Sequence, residues 1–141
     1  MAGKSGIRNV AGMRLRNKGG RKRVKSPTTE TPLIRIRDLW LKEIAIQGYA
    51  ASTVSTSKWA IEPFIQWAEN RPFRHPEEIT EPELRLYQAW LHDYRKPDGA
   101  PLSSATQRAR IGALKRFFQW LLDRGEISYS PAGKLHLPKR P

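Results

Sequence analysis

The residue types in this chain favour binding over catalysis. Cysteine is absent, and the three histidines, His75, His92 and His136, are far apart and lack the spacing of metal ligands. No glycine-rich loop lies between a strand pattern and a helix pattern, and no tyrosine has a neighbouring cluster that would activate it as a nucleophile. We therefore expect no catalytic site, no metal ion and no cofactor.

Basic side chains occupy one face of the last helical segment, over about residues 104–124. At 100° per residue, the face opposite the apolar side collects Arg108, Lys115 and Arg116, and Thr106 lies on its flank. An ordinary solvated helix face mixes both charge signs, whereas this one has no carboxylate before Asp123. The face predicts a polyanionic partner, and a merely basic solvent-exposed face is the alternative.

Small hydroxyl side chains begin an earlier helical segment, over about residues 52–69. Its outward side holds Ser55, Thr56, Lys58 and Trp59, and Thr53 lies in the first turn. Hydroxyls near a helix N-terminus suit phosphate oxygens, because free backbone N–H groups point there, although they equally suit simple capping. Trp59 lies away from the apolar stripe, so it either packs on the first helix or is an exposed contact residue.

Apolar residues recur at helical spacing in four segments, and no segment alternates long enough to be a strand. The spacing predicts helices over about 33–47, 52–69, 80–94 and 104–124, and a turn near residue 130 would start a short fifth helix. The class is therefore all-α, a compact bundle of four main helices. The predicted boundary signals are a Ser52 cap, a break or kink at Pro63, Thr80–Glu83 and Ser104–Gln107 capping boxes, and stops at Gly48 and Gly125.

Positive charge is concentrated at the start of the chain. The 141 residues contain 26 Lys and Arg against 13 Asp and Glu, a formal net charge of +13, and no acidic residue precedes Glu30. Residues 1–30 have no aromatic residue, so we expect a disordered basic tail, either a solubilising leader or an arm that binds phosphates. Residues 31–134 would form the helical domain and 135–141 a linker. No apolar run is long enough to cross a membrane, and we expect a cytoplasmic protein.

Four passages occur in a familiar order. They are GYAASTV at 48–54 followed by FIQW at 64–67, ITEPEL at 79–84, SSAT through RIGALKRFFQWL at 103–121, and SPA at 130–132 followed by LPK at 137–139. Together they resemble the core-binding domain of the tyrosine recombinases, the phage integrase family, whose N-terminal domain has a SAM-like fold. The resemblance covers residues 33–141.

This resemblance implies a domain that grips duplex DNA opposite a separate catalytic domain. By position, the second helix would present Thr53, Ser55, Thr56 and Trp59 to DNA, and the fourth helix Thr106, Ala109, Arg110 and Arg116. Arg110, however, projects near the border of the predicted core. Ser57 and Ala109 depart from the larger side chains that the family often has at these positions.

The resemblance also implies that the strand-cleaving tyrosine and its partners belong to the catalytic domain, and no residue here matches that set. We therefore expect no enzyme activity from this chain by itself, whether it is a fragment, a truncated product or a stand-alone module. The implied partners are double-stranded DNA, a catalytic domain and other recombinase protomers, with localisation at the nucleoid.

Two other functions remain open on the sequence. A helical protein–protein module would use Trp59 and the apolar residues Leu135 and Leu137 as its contact surface. An RNA-binding basic protein is a further alternative, although the narrow major groove of A-form RNA would not admit these helices.

Overall fold

Amphipathic segments of the chain form four α-helices, as predicted. A computed structural model describes residues 31–71, 73 and 75–139, so the predicted basic tail lies outside the described residues. The helices are α1 (Pro32–Ile46), α2 (Ala51–Glu69), α3 (Glu81–Asp93) and α4 (Ser104–Asp123), with a short 3₁₀ turn at Pro76–Glu78. Within these ranges the only β-type pairing is an isolated bridge between Arg95 and Pro101, so the all-α prediction is confirmed.

Local signals set most helix ends. Gly48 follows α1 with φ of 92° and Gly125 follows α4 with φ of 78°, a left-handed conformation that glycine adopts without steric cost. The predicted box at the start of α3 is present, because the Glu83 carboxylate accepts hydrogen bonds from the N–H and the hydroxyl of Thr80, both at 3.2 Å.

Three of the local predictions were wrong. Helix α2 begins one residue before Ser52, with Ala50 as N-cap and no side-chain cap. Pro63 lies inside α2 and does not break the helix, and a kink at this position stays a prediction. The cap of α4 is Ser103 rather than Ser104, because the Ser103 hydroxyl accepts from the N–H of Thr106 at 3.1 Å. The turn at 131–134 does not develop into a fifth helix.

The core consists of the apolar faces of all four helices. Helix α2 packs on α1 and α4, and α3 packs on α4. Phe64 of α2 is fully buried against Tyr87 of α3 and Phe118 of α4, with ring centroids 5.3 and 5.9 Å apart. Three small buried residues, Ser57, Ala60 and Ala113, leave room for α2 and α4 to approach closely.

A buried hydroxyl in this core leads to a pH-dependent prediction. The Tyr87 hydroxyl has no hydrogen-bond partner among the described residues, and burial raises the pKa of Tyr87 although the charge of Arg110 opposes the shift. Unfolded tyrosine releases its proton near pH 10, whereas the folded chain retains it, so folding stability falls as the pH rises above about 10.

We expect Tyr87→Phe to remove the part of the alkaline loss of folding stability that Tyr87 causes. That part is at most about 1.4 kcal/mol per pH unit. At pH 8 the variant should be at least as stable as the parent chain, because no hydrogen bond to the hydroxyl is lost. Urea denaturation of both proteins at pH 8, 10 and 11 measures the difference, and parallel declines would contradict the prediction.

The chain leaves α4 and folds back along the bundle. Residues 132–138, here called the exit segment, pack on α4 and α3, and Leu135 is buried in the core. Side chains bind three stretches of its backbone: Lys115 donates to the carbonyls of residues 132, 133 and 135, Gln88 to that of residue 136, and Arg108 to that of residue 138. Residues 135–138, at the start of the predicted linker, are held against the domain by these contacts.

Candidate nucleic-acid interface

Eight of the ten predicted binding residues fall on three separate surfaces, and Thr56 and Thr106 lie outside them. A cleft beside α2 collects Ser55, Lys58, Trp59 and Arg110, and a groove on the other side of α2 collects Thr53 and Arg116. Arg108 and Lys115 face the exit segment. Thr56 is exposed on α2, and Thr106 lies in the first turn of α4.

The cleft lies between α2 and α3, and we call it the aromatic cleft. It encloses about 790 Å³ and has the following lining: Ser55, Lys58, Trp59, Glu62, Pro63, Gln66, Trp67 and Asn70 of α2 and its end, Trp90 and Tyr94 of α3 and its end, and Arg110 of α4. Three helices therefore position its side chains, and its volume lies within the range of ligand sites.

The charge balance of the aromatic cleft is positive. Glu62 is the only carboxylate on the lining, and it forms an ion pair with Arg37 of α1. Lys58 and Arg110 form no ion pair within the described part of the chain. Arg37 shares its charge between Glu62 and the exposed Asp38, which lies 2.9 Å away, so Glu62 is paired but not fully neutralised. Lys58 and Arg110 still exceed this one lining carboxylate in number, which leaves positive charge for an anionic ligand.

Trp59 is an exposed residue and does not pack into the bundle. Its side chain is 49% exposed, and the guanidinium carbon of Arg110 lies 5.2 Å from the ring centroid, within cation–π range. Arg110 lies at the core border, as the helical projection indicated, and its buried Nε atom has no hydrogen-bond partner among the described residues. The Nε side of this guanidinium is therefore buried in the fold, while its central carbon lies over the Trp59 ring.

The second surface is the groove that holds Arg116 and Thr53, and it is less favourable to an anion. Arg116 is exposed and forms no ion pair in the described ranges, but Glu43 and Asp123 line the same groove. Asp123 accepts a hydrogen bond from Gln119 at 2.9 Å. Two carboxylates near one arginine weaken the attraction for phosphate relative to the aromatic cleft.

Lys115, a predicted DNA-binding residue, contacts the exit segment. Its Nζ lies 3.3, 3.1 and 2.7 Å from the carbonyl oxygens of Ala132, Gly133 and Leu135. A lysine ammonium has three N–H donors, so these contacts use all of them. Arg108 likewise donates to the carbonyl of Pro138. These two cations stabilise the exit segment, and their contact with DNA stays a prediction.

The predicted hydroxyl residues fall into two groups, three exposed on α2 and one in the cap of α4. Thr53, Ser55 and Thr56 are exposed in the first turns of α2, where the N-cap residue Ala50 contributes no side-chain hydrogen bond. They do not cap the helix at its N-cap position, and so capping does not account for them. The Thr106 hydroxyl, by contrast, accepts from Ser103 at 3.1 Å and is part of the cap of α4.

Sequence reasoning missed the α3 side of the cleft. Trp90, Tyr94 and Leu86 follow the apolar helical spacing of α3, which predicts burial, yet their side chains are 41%, 38% and 58% exposed. The high tryptophan content, five residues in 141, was the signal that more aromatic surface exists than this core can bury.

Two absences hold for the described residues. They contain no group of three or more His, Asp or Glu side chains that could hold a metal ion. No helix in the described ranges combines the length and apolar content that crossing a membrane requires.

Comparison with known proteins agrees with the resemblance. Residues 36–126 match the family model described as phage integrase, N-terminal SAM-like domain. Tyrosine recombinase XerC 2 of Ralstonia nicotianae (strain ATCC BAA-1114 / GMI1000) is 38% identical over 123 residues, which are 87% of this chain and 35% of the relative. The chain thus spans about a third of the length of this relative.

A solved structure has the same fold. The N-terminal domain of a phage integrase/site-specific recombinase from Haloarcula marismortui superimposes with a TM-score of 0.65 at 21% identity, covering 77% of this chain and 97% of that domain. Fold, family match and relative agree, and the chain belongs to the phage integrase N-terminal SAM-like domain family, related to the tyrosine recombinases.

Proposed function

We propose that this chain is a DNA-binding module of a site-specific tyrosine recombinase, gripping duplex DNA during integration and recombination. One observation supports this above the others: Lys58 and Arg110 line a cleft whose only carboxylate is already paired with Arg37. Such an unneutralised pair of cations attracts phosphates and releases their counterions.

The first turns of α2 would supply the polar contacts. Thr53, Ser55 and Thr56 are exposed at a helix N-terminus, where hydroxyl and backbone N–H groups suit phosphate oxygens. Trp59 and Arg116 border this region, and Arg116 would add a weaker phosphate contact because Glu43 and Asp123 lie in its groove. Phosphate contacts would provide most of the affinity, and base contacts a modest sequence preference.

The module would act without chemistry of its own. The strand-transfer reaction would reside in a catalytic domain, and the partners would be duplex DNA, that domain and other recombinase protomers at the nucleoid. Leu135, one of the three residues of the alternative protein-docking surface, is only 2% exposed, so that surface would be reduced to Trp59 and Leu137.

Lys58→Ala tests the proposal. We expect the slope of log K against log salt for duplex DNA to become shallower by about one unit, because one phosphate contact is lost. A contact contributes about 0.9 to the slope, so at 0.1 M salt the affinity should fall about eightfold. Fluorescence anisotropy of a labelled duplex at several salt concentrations measures both quantities.

Arg85→Ala is the matched control. Arg85 is an exposed cation on α3, but it is paired with Glu81 at 2.7 Å, so its removal should change the slope little. Equal losses in the two variants would mean that net charge rather than the α2 surface determines binding. No measurable binding of duplex DNA by the parent chain would reject the proposed function.

A further inference from the structure

The aromatic cleft has a second wall that duplex binding does not require. Trp90 and Tyr94 are 41% and 38% exposed, and their ring centroids lie 5.6 Å apart. One side of the Trp90 ring stacks on buried Tyr87, with centroids 6.0 Å apart and an interplanar angle of 20°. The fold thus holds the Trp90 ring in place while much of its surface stays open.

Trp59 provides an opposing exposed ring from α2. The Trp59 ring is 49% exposed, and the guanidinium carbon of Arg110 lies 5.2 Å from its centroid. An aromatic surface and a cation therefore lie next to each other in the cleft. Trp67 is only 8% exposed, and its ring centroid lies 5.4 Å from that of buried Tyr87. Trp67 therefore forms the part of the lining closest to the core. Exposed aromatic surface grouped in this way marks an interaction site.

The polar groups of the cleft narrow the class of ligand. Lys58 and Arg110 have no ion pair among the described residues, and Gln66 and Asn70 line the same space. Aromatic rings beside unneutralised cations match a ligand with flat π-faces and negative charge. Nucleotides have both, and a base can present its face to a ring only when it is unstacked from its neighbours.

We propose that the aromatic cleft binds unpaired nucleotides of single-stranded DNA. Bases stack on Trp90 and Trp59, and Lys58 and Arg110 contact the adjoining phosphates. This proposal depends on the proposed function in one respect. The single strand would be an unpaired stretch of DNA next to a duplex that the chain has bound. An apolar protein helix fits less well, because it would leave both cations buried without counter-charges.

The experiment compares a short labelled oligothymidine with a fully paired duplex, using the whole chain. We expect the parent chain to bind the oligothymidine with quenching of tryptophan fluorescence. Trp90→Ala should weaken this binding about tenfold or more, because stacking on an aromatic ring contributes strongly to single-strand affinity. Trp90→Phe should retain most of it, and the duplex affinity of both variants should stay within about twofold of the parent.

Leu86→Ala is the control on the same helix, because Leu86 is 58% exposed and does not line the cleft. Thermal melting of each variant shows that it is folded. Oligothymidine binding that is equal in Trp90→Ala and the parent would overturn the proposal, as would self-association that Trp90→Ala abolishes without any single-strand binding. If the parent chain binds oligothymidine but not the duplex, the proposed function is rejected and this proposal stands.

Discussion

Lys115→Ala should destabilise the fold by about 1.5–3 kcal/mol and leave the salt dependence of DNA binding unchanged. The ammonium donates to three carbonyls of the exit segment, with contacts of 2.7, 3.1 and 3.3 Å, and removing a charged donor from such a cluster costs more than removing a neutral one. The loss would also weaken the attachment of Leu135, which lies in the core. Urea denaturation gives the stability, and anisotropy titrations give the slope.

Lys115→Met separates the donors from the aliphatic stem. It keeps most of the apolar contact area but has no N–H group, so it should lose nearly as much stability as Lys115→Ala. The opposite pattern, an unchanged free energy of unfolding with a slope shallower by one unit, would show that Lys115 contacts phosphate instead. Lys58→Ala is expected to give that opposite pattern, since Lys58 is exposed on α2 and binds no carbonyl in the described structure.

Phe64→Ala should cost about 3–5 kcal/mol, the largest effect expected of any single change. Phe64 is fully buried at the meeting point of three helices, and its ring contacts Trp67, Tyr87 and Phe118 with centroids 6.2, 5.3 and 5.9 Å apart. Truncation would leave a cavity that three aromatic rings cannot collapse to fill. Because a domain of this size is stable by only about 5–15 kcal/mol, much of the stability would be lost.

Chemical denaturation of Phe64→Ala and Leu39→Ala checks this expectation. Leu39 is 45% exposed on α1, so its truncation should cost less than about 1 kcal/mol. If Phe64→Ala does not fold, Phe64→Leu should fold and show a smaller loss, because it refills part of the cavity. Similar small losses for Phe64→Ala and Leu39→Ala would contradict the placement of Phe64 at the centre of the core.

The cations of α2 and α4 form two groups with different contacts. Lys115 and Arg108 hold the exit segment against the bundle, whereas Lys58 and Arg110 face the aromatic cleft. The exit segment therefore leaves the domain from a fixed position on α4, independent of the proposed DNA contacts.

The sequence alone predicted the helical class, the four helices to within about two residues and most of the core. Phe64, Ile111 and Phe118 follow the apolar helical spacing and are fully buried, and the Thr80–Glu83 box is present where it was predicted. These features depend on residues within one or two turns of each other, so a periodic pattern or a local hydrogen bond is sufficient to predict them.

Only the tertiary structure distinguished the adjacent residues Lys115 and Arg116. Both lie on the polar side of α4, but the exit segment returns against Lys115 and takes up its three donors, while Arg116 stays exposed. In the same way, Glu62 is paired with Arg37, 25 residues away, and Trp90 is left partly open because no element fully covers that side of α3 in the described structure. Such pairings join segments distant along the chain, and helical periodicity contains no information about which segments meet.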